Sequence, residues 1–354
     1  MTYEMLIQPL GETIEVEEGQ TILDAALRSG IYLPHACSHG LCGTCKVEVV
    51  AGEFDHGDAS LFALMDFERD EGFALACCAT LMEDVEIEAD VDVDEDAEFI
   101  SVRDFYTTVS RIECLTPTIK AVFLTLDSDI HFQAGQYVQI HLPGIESSRA
   151  FSIANSPEQI RATGELELNV RILPGGEVTS YIHEQLKVGD DIRISGPYGR
   201  FFVRKSAPEP IIFFAGGSGL SSPRSMIHDL LDDKEKTPIT LIYGQRSKSE
   251  LYYHQEFLHL AARHPHFSYV PALSEPEIDD DWKGATGFVH EVAKSHFEND
   301  FSGHKAYLCG PPIMIDACIS MLMQGRLYER DIFTEKFLSA ADATEQRSPL
   351  FKRV

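Results

Sequence analysis

Apolar and polar residues follow three successive rhythms along the chain. From Tyr3 to Pro9 and from Thr13 to Val16 they alternate, which predicts a hairpin turning near Leu10-Gly11. Thr21 is placed to cap a helix over Ile22 to Ser29, and Gly30 to end it. Lys46 to Val50 reads as a strand, and Val85 to Val93 as a last strand that fades into acid. From Phe99 to about Lys205 the runs are short and β-like: Thr108–Ser110, Ala121–Leu126, Tyr137–Leu142, Glu165–Ile172 and Asp191–Ser195. Gly, Pro and Asp turns separate them, and one helix is expected from Thr179 to Leu186. That spacing suits a small antiparallel barrel.

From Ala207 the rhythm changes again. Strands are expected at Ile211–Ala215, Ile239–Tyr243, Phe267–Ala272, Lys305–Cys309 and Asp331–Phe337. Helices near Pro223–Leu231, Glu250–Ala262, Gly287–His296 and Pro312–Gln324 separate them. Strand and helix in alternation predict a parallel sheet. The fold class is therefore multidomain α+β and α/β, with expected domains 1–97, 98–205 and 206–354. A length of 354 residues supports this division.

Charge sharpens the first boundary. The net charge is −28, and residues 1–98 hold 24 acids against Arg28, Lys46 and Arg69. Acids from Asp90 to Glu98 repel one another and favour an extended linker. Nucleic acid and anionic membranes are disfavoured as partners, and a basic protein patch is favoured. No run reaches 18 apolar residues and no signal peptide is read, so a cytoplasmic location is expected. Clustered cysteines there point to metal or redox work, not disulfides.

Cys37, Cys42 and Cys45 are spaced C-x4-C-x2-C, and Cys77-Cys78 follows about thirty residues on. This is the plant-type [2Fe–2S] pattern. Gly40 and Gly43 would let the loop wrap tightly, so that backbone N–H groups reach the sulfurs. A zinc site usually has two C-x2-C hooks, and here there is one. A Rieske site needs a second histidine where this chain has Cys45. Adjacent residues of a strand face opposite ways, so Cys77 and Cys78 compete for the fourth position. Cys114 and Cys318 lie in apolar contexts and are expected in the core.

HACSHGLCGTCKVEVVAGE, with ALACCAT, resembles the ferredoxin domain of bacterial oxygenase reductases. The resemblance implies a β-grasp fold, and its L-x-C pattern assigns the fourth ligand to Cys77. Three further segments, RAFSIANSP, ILPGGEVTSYI and GPYG, resemble the ferredoxin–NADP reductase superfamily in this order. On the residues alone, Arg149 offers a fork of donors to a pyrophosphate, and Gly175-Gly176 with Thr179 and Ser180 opens a helix as an anion site. The resemblance implies a six-stranded FAD-binding barrel. In it, Arg149 touches the pyrophosphate, Phe151 packs along the cofactor and Ser152 faces flavin N5, with Ala150 among the cofactor-binding residues.

Gly216, Gly217, Ser218 and Gly219 follow a strand and precede a helix, as in dinucleotide sites. The last position of G-x-G-x-x-G is Ser222, so a Rossmann dehydrogenase fits less well. AGGSG, and the turn Cys309-Gly310-Pro311-Pro312, resemble the nicotinamide domain of the same superfamily. The resemblance places Cys309, Gly310 and Pro311 by the nicotinamide, Phe337 over the flavin and Glu335 near N5. Ser152, Cys309, Glu335 and Phe337 are the candidate catalytic residues. Arg246 and Lys248 leave the nucleotide open between NADH and NADPH, and the resemblance favours NADH.

The stretches ASLFALMDFERDE, FQAGQYVQIHLPGI and MQGRLYERDIF extend the resemblance to reductase components of multicomponent phenol hydroxylases. It implies electron flow from NADH through FAD and the [2Fe–2S] cluster to a di-iron hydroxylase, docked through the acidic ferredoxin domain. Reductases of ring-hydroxylating dioxygenases or of deoxysugar-forming enzymes share the domain order. A regulatory redox sensor would need an added output domain, and only about fifteen residues follow the last strand.

Overall fold

In residues Met1–Arg103, alternation becomes a mixed sheet with helices laid on it. The computed structural model describes residues 1–35, 38, 40–91, 94–145, 148–232, 236–278 and 281–337. Strands β1 (Thr2–Gln8) and β2 (Glu12–Glu17) form the expected antiparallel hairpin. Helix α1 (Ile22–Arg28) follows, and the Thr21 side chain accepts the Asp24 N–H at 3.2 Å. The apolar stripe of α1, including Ile22, Ala25 and Ala26, is buried. Then come β3 (Lys46–Ala51), β4 (Phe54–Asp55), α2 (Asp66–Asp70), β5 (Phe73–Leu75), β6 (Thr80–Leu81) and β7 (Val85–Glu88). The sheet order β2-β1-β7-β3-β5, with β1 and β7 parallel, is a β-grasp. The last strand stops at Glu88, short of the expected Val93, which lies outside the described residues.

Asp104–Phe337 forms the second compact unit and holds two sheets. The first has strands β8 (Arg103–Cys114), β9 (Ile119–Leu126), β10 (Tyr137–His141), β11 (Arg149–Ser152), β12 (Glu165–Arg171) and β13 (Asp191–Tyr198). Their order is β11-β10-β13-β8-β9-β12, and an Ile153–Leu168 bridge joins the two edges into a nearly closed six-stranded barrel. Closure removes open edges. Two helices interrupt it: α3 (Pro157–Thr163) and α4 (Glu177–Glu184). The reading of short β runs passed over α3, although its start is marked locally. Ser156 accepts the Gln159 N–H at 3.2 Å, and the Gln159 side chain accepts the Ser156 N–H at 2.9 Å.

The second sheet is parallel, in the order β17-β16-β15-β14-β18-β19. Its elements run β14 (Ile211–Gly216), α5 (Ser221–Asp232), β15 (Ile239–Gln245), α6 (His254–Arg263), β16 (Phe267–Leu273), β17 (Ala285–Thr286), α7 (Val289–His296), β18 (Lys305–Gly310), α8 (Pro312–Gln324) and β19 (Ile332–Lys336). All of β14 is buried, as expected of a central strand covered on both faces. Cys318 is buried, but Cys114 is exposed, which corrects its expected place in the core. It ends β8, where the inward–outward alternation of the strand has run out.

The α1 cap yields a local test. Thr21→Ala should weaken the first turn by about 1 kcal/mol. Hydrogen exchange should show faster amides at Leu23–Leu27 and unchanged amides in β14 and β15; equal protection in both proteins would contradict the cap's role.

Candidate functional site

The cysteine loop is held by its neighbours. Gly40 N–H donates to Cys77 Sγ at 3.3 Å, and Gly40 accepts the Ser60 N–H at 3.0 Å. A Cβ on Gly40 would lie 2.7 Å from Cys78 Sγ, and one on Gly43 would lie 3.1 Å from Ala63 O. Both glycines have positive φ, at 70° and 73°. The loop thus demands glycine for close approach as well as for backbone shape. Cys77 Sγ lies 3.7 Å from Cys78 Sγ. Cys45 is buried, Cys42 is exposed, and Cys37 lies outside the described residues. The neighbouring Cys77 thiol, together with burial, pushes the Cys45 thiol far above its usual range. Crowded thiols that resist ionisation alone, with a backbone N–H aimed at sulfur, fit a cationic iron cluster. Among the described residues alone, no three candidate ligands close on one point.

The segment 59–67 packs on that loop. Arg69 holds it through Ala59 O at 2.7 Å and Leu64 O at 3.4 Å. Leu61, Phe62, Met65 and Phe67 project outward beside Leu41, with Phe62 93% exposed. Arg28 pairs with Asp24 and Lys46 with Glu68. All three bases of residues 1–98 are therefore engaged locally.

In Asp104–Phe337, four elements converge on one carboxylate. Ser152 Oγ, at the end of β11, donates to Glu335 Oε2 at 3.2 Å. Ser222 Oγ, in the first turn of α5, donates to the same oxygen at 2.8 Å. Cys309 Sγ, on β18, lies 3.6 Å from it. Parallel pairing of β18 with β19 sets Cys309 beside Glu335. Glu335 is half-buried as a residue, and its carboxylate is enclosed. Burial outweighs its three donors and pushes it up to about 7. Burial and the Glu335 charge raise the Cys309 thiol well above its usual range, so it stays protonated.

Sequence reasoning selected Ser152, Cys309 and Glu335, and the structure brings them together. It passed over Ser222, noted only as a departure from a glycine motif. Phe337 is half-buried, and its N–H reaches Gly310 O at 3.3 Å. Pro311 is exposed and caps α8.

The glycine turn has causes within the chain itself. A Cβ on Gly216 would lie 2.4 Å from Met314 Sδ, and one on Gly219 would lie 2.4 Å from Cys309 O. Gly217 has φ 60°, and its missing Cβ leaves room for Arg171 Nη1. Ser218 O accepts Ser221 Oγ at 3.2 Å. Gly175 turns with φ 74°, Gly176 caps α4, and Thr179 Oγ1 donates to Gly176 O at 3.2 Å and accepts the Leu173 N–H at 3.2 Å. Ser180 is half-buried one residue further on.

The barrel's outer face fits a planar, polar cofactor. Tyr137 lies opposite Ser152 and Gln139 opposite Ala150, so these four share one face. Tyr137 stacks on Tyr198 at 5.6 Å, Ala150 is exposed, and Gln139 Oε1 is buried without a partner. An orphaned acceptor there calls for a donor from outside the chain. Arg149 is exposed and donates to Ser148 O. Phe151 is on the opposite face from Ser152, packed against the barrel core.

Behind Ser222 lies an ion network centred on the buried pair Arg224 and Glu167. Arg224 donates to Glu167 at 3.0 Å and to both oxygens of Glu256, at 2.8 and 3.1 Å. Burial alone would raise Glu256, but His228 at 2.7 Å and Arg224 hold it down at about 2.

A barrel with an open polar face, joined to a parallel sheet at an enclosed carboxylate, defines a flavin- and nicotinamide-dependent reductase, here with an iron–sulfur module. Family models agree: a 2Fe-2S iron-sulfur cluster binding domain matches residues 5–82, an oxidoreductase FAD-binding domain 107–203 and an oxidoreductase NAD-binding domain 213–319. The chain is 57% identical to the reductase component of phenol 2-monooxygenase from a Pseudomonas species, over 100% of both chains. It is equally similar to a phenol hydroxylase protein of Acinetobacter pittii, again over 100% of both. Among solved structures, the Amycolatopsis reductase GcoB matches with TM-score 0.86 and 32% identity, over 95% of this chain and 99% of that one. The chain belongs to the family of reductase components represented by these phenol hydroxylase proteins.

The enclosed carboxylate carries a pH signature. Glu335 sits at about 7 in the folded chain, above the ordinary carboxylate value of 4.5. Its contribution to stability is complete below 4.5 and declines as pH rises through about 7. Glu335→Gln lacks this decline. The stability of the native protein minus that of the variant should fall across pH 4.5–7, by at most about 3 kcal/mol, and then level off. Denaturant midpoints at a series of pH values measure it; a difference that rises with pH would contradict the buried carboxyl.

Proposed function

We infer that this chain takes electrons from NADH and delivers them, through FAD and a [2Fe–2S] cluster, to the hydroxylase component of a phenol monooxygenase. The observation that carries the reading is the convergence of Ser152, Ser222, Cys309 and Glu335 beneath the open barrel face. When bound, FAD converts the two-electron donation of a nicotinamide into the single-electron steps that an iron–sulfur cluster accepts. The protein's part is to bind, orient and exclude water. Glu335, near its own pKa at neutral pH, holds a proton or releases it beside Ser152 Oγ. Arg149 and Ala150 would hold the flavin nucleotide with Gly175, Gly176, Thr179 and Ser180, while the Phe151 side chain, expected along the cofactor, packs against the barrel core instead. Gly216 to Gly219, Gly310 and Pro311 would receive the nicotinamide nucleotide, and Phe337 would cover the flavin. Cys37, Cys42, Cys45 and Cys77 would hold the cluster.

The domain limits 1–97, 98–205 and 206–354 and a cytoplasmic location belong to this reading. No helix among the described residues is long and apolar enough to cross a membrane. The hydroxylase would dock on the acidic module beside the cysteine loop, where Leu41, Leu61 and Phe62 are exposed. Phenol itself would bind to the partner.

Anaerobic titration tests the reading. NADH should bleach both flavin and iron–sulfur bands, at lower concentration than NADPH. Cys77→Ser should lose the iron–sulfur bands and keep flavin bleaching, while Cys78→Ser should keep both. Iron-replete protein without such bands would contradict the cluster. Electron delivery to the hydroxylase should fall severalfold between 0.05 and 0.5 M salt, as screening of an acidic docking face requires. Salt-independent delivery would remove the acidic module from docking.

A further inference from the structure

We propose that Arg224 is a positioning residue for electron uptake, fixing the barrel strand that carries Ser152 to the helix that carries Ser222. This rests on the electron-transfer reading above and assigns a part of the same site.

Two pairs of contacts lie in matched register. Ser152 and Ser222 both donate to Glu335 Oε2. Two residues beyond each, Arg224 Nη1 donates to Ala154 O at 2.8 Å. One residue further, Ser225 Oγ donates to Asn155 O at 2.8 Å. The spacing between barrel strand and helix is thus set twice, once at the site and once behind it.

Arg224 itself has little freedom. It is 7% exposed, and its guanidinium lies 4.1 Å over the Tyr253 ring. Its fork meets Glu256 on α6 with two bonds and Glu167 on β12 with one. Tyr253 donates to Glu167, and Asn155 Oδ1 accepts the Glu167 N–H at 3.0 Å. Tyr253 holds φ 55°, a left-handed conformation that a bulky residue adopts only when its surroundings impose it. Planar bidentate geometry and an aromatic beneath it are the features lysine cannot reproduce.

Such an arrangement exceeds what packing two halves together needs. A buried ion network is often no more stabilising than apolar side chains of the same volume, but it fixes one geometry. Here that geometry places two hydroxyls on a single oxygen. A displacement of about 1 Å at such a site lowers the rate by about a hundredfold.

The test uses the full-length, FAD-loaded protein and anaerobic stopped-flow bleaching by NADH. Arg224→Gln should lower the limiting rate constant on the order of tenfold or more, with half-saturation by NADH little changed. Arg224→Lys should recover part of the loss. Combined with Ser152→Ala, the two effects should be less than multiplicative, since a displaced hydroxyl has little left to lose. A FAD-loaded Arg224→Gln protein with the native rate constant, or multiplicative effects, would overturn the proposal. If Arg224→Gln does not fold or retain FAD, Ser225→Ala takes its place. A lowered rate constant that is non-multiplicative with Ser152→Ala supports positioning, and an unchanged one overturns it. Failure of NADH to bleach the unaltered protein would instead sink the electron-transfer reading.

Discussion

The Glu335 carboxylate is a charge that burial opposes, and the unit around it is built so that the opposition is nearly balanced. Two hydroxyls and a thiol donate to it, yet among the described residues no basic side chain does. A lysine or arginine at that place would hold the group permanently ionised. Neutral donors leave it close to neutrality in pKa, able to keep or lose a proton near pH 7. That choice demands geometry in place of charge. Hydroxyl bonds of ordinary strength stay made only if the strands and helix that bring them are held from elsewhere. Elements of both sheets must therefore be rigidly registered for one oxygen to collect its donors.

Registration comes from backbone approach as much as from side chains. Gly219 brings the turn after β14 against Cys309 O, and Gly216 admits Met314. These contacts put the start of α5 over the end of β18, where Ser222 and Cys309 face the same carboxylate. In the sequence, the glycines read as a cradle for phosphate, by analogy with dinucleotide turns. Gly216 and Gly219 have a prior duty toward their own chain. Only Gly217, with its positive φ beside Arg171, keeps the signature of an open turn.

Much of the fold was legible because its periodicities are clean. The β14, β15 and β18 runs, the α1 cap and the hairpin at Leu10-Gly11 stand within a residue or two of their expected places. What escaped was information that neither local periodicity nor a motif carries. Helix α3 hides among β runs, although its capping box is readable in Ser156 and Gln159. Cys114 follows the apolar rhythm of β8 but sits where the strand leaves the core. Ser222 and Arg224 belong to a helix whose sequence shows nothing unusual; their importance lies in partners 32 to 113 residues away. Phe151 and Ser152 are neighbours in a motif and yet face opposite sides of a strand, which pattern matching alone does not separate.

The two units treat charge in opposite ways, and each treatment suits its task. Within Asp104–Phe337 the decisive charges are paired: Arg224 with Glu167, both buried, and with half-buried Glu256. Burial shields such pairs from screening, so the geometry they hold persists across ionic conditions. In residues 1–98 the three bases are engaged locally, and most acids are left facing water. Charges of that kind add little to stability but act at a distance, and they weaken as salt rises. A site that must keep two hydroxyls on one oxygen needs the first arrangement. The proposed docking role would draw on the second, because attraction that steers without locking raises the rate of encounter while leaving dissociation fast.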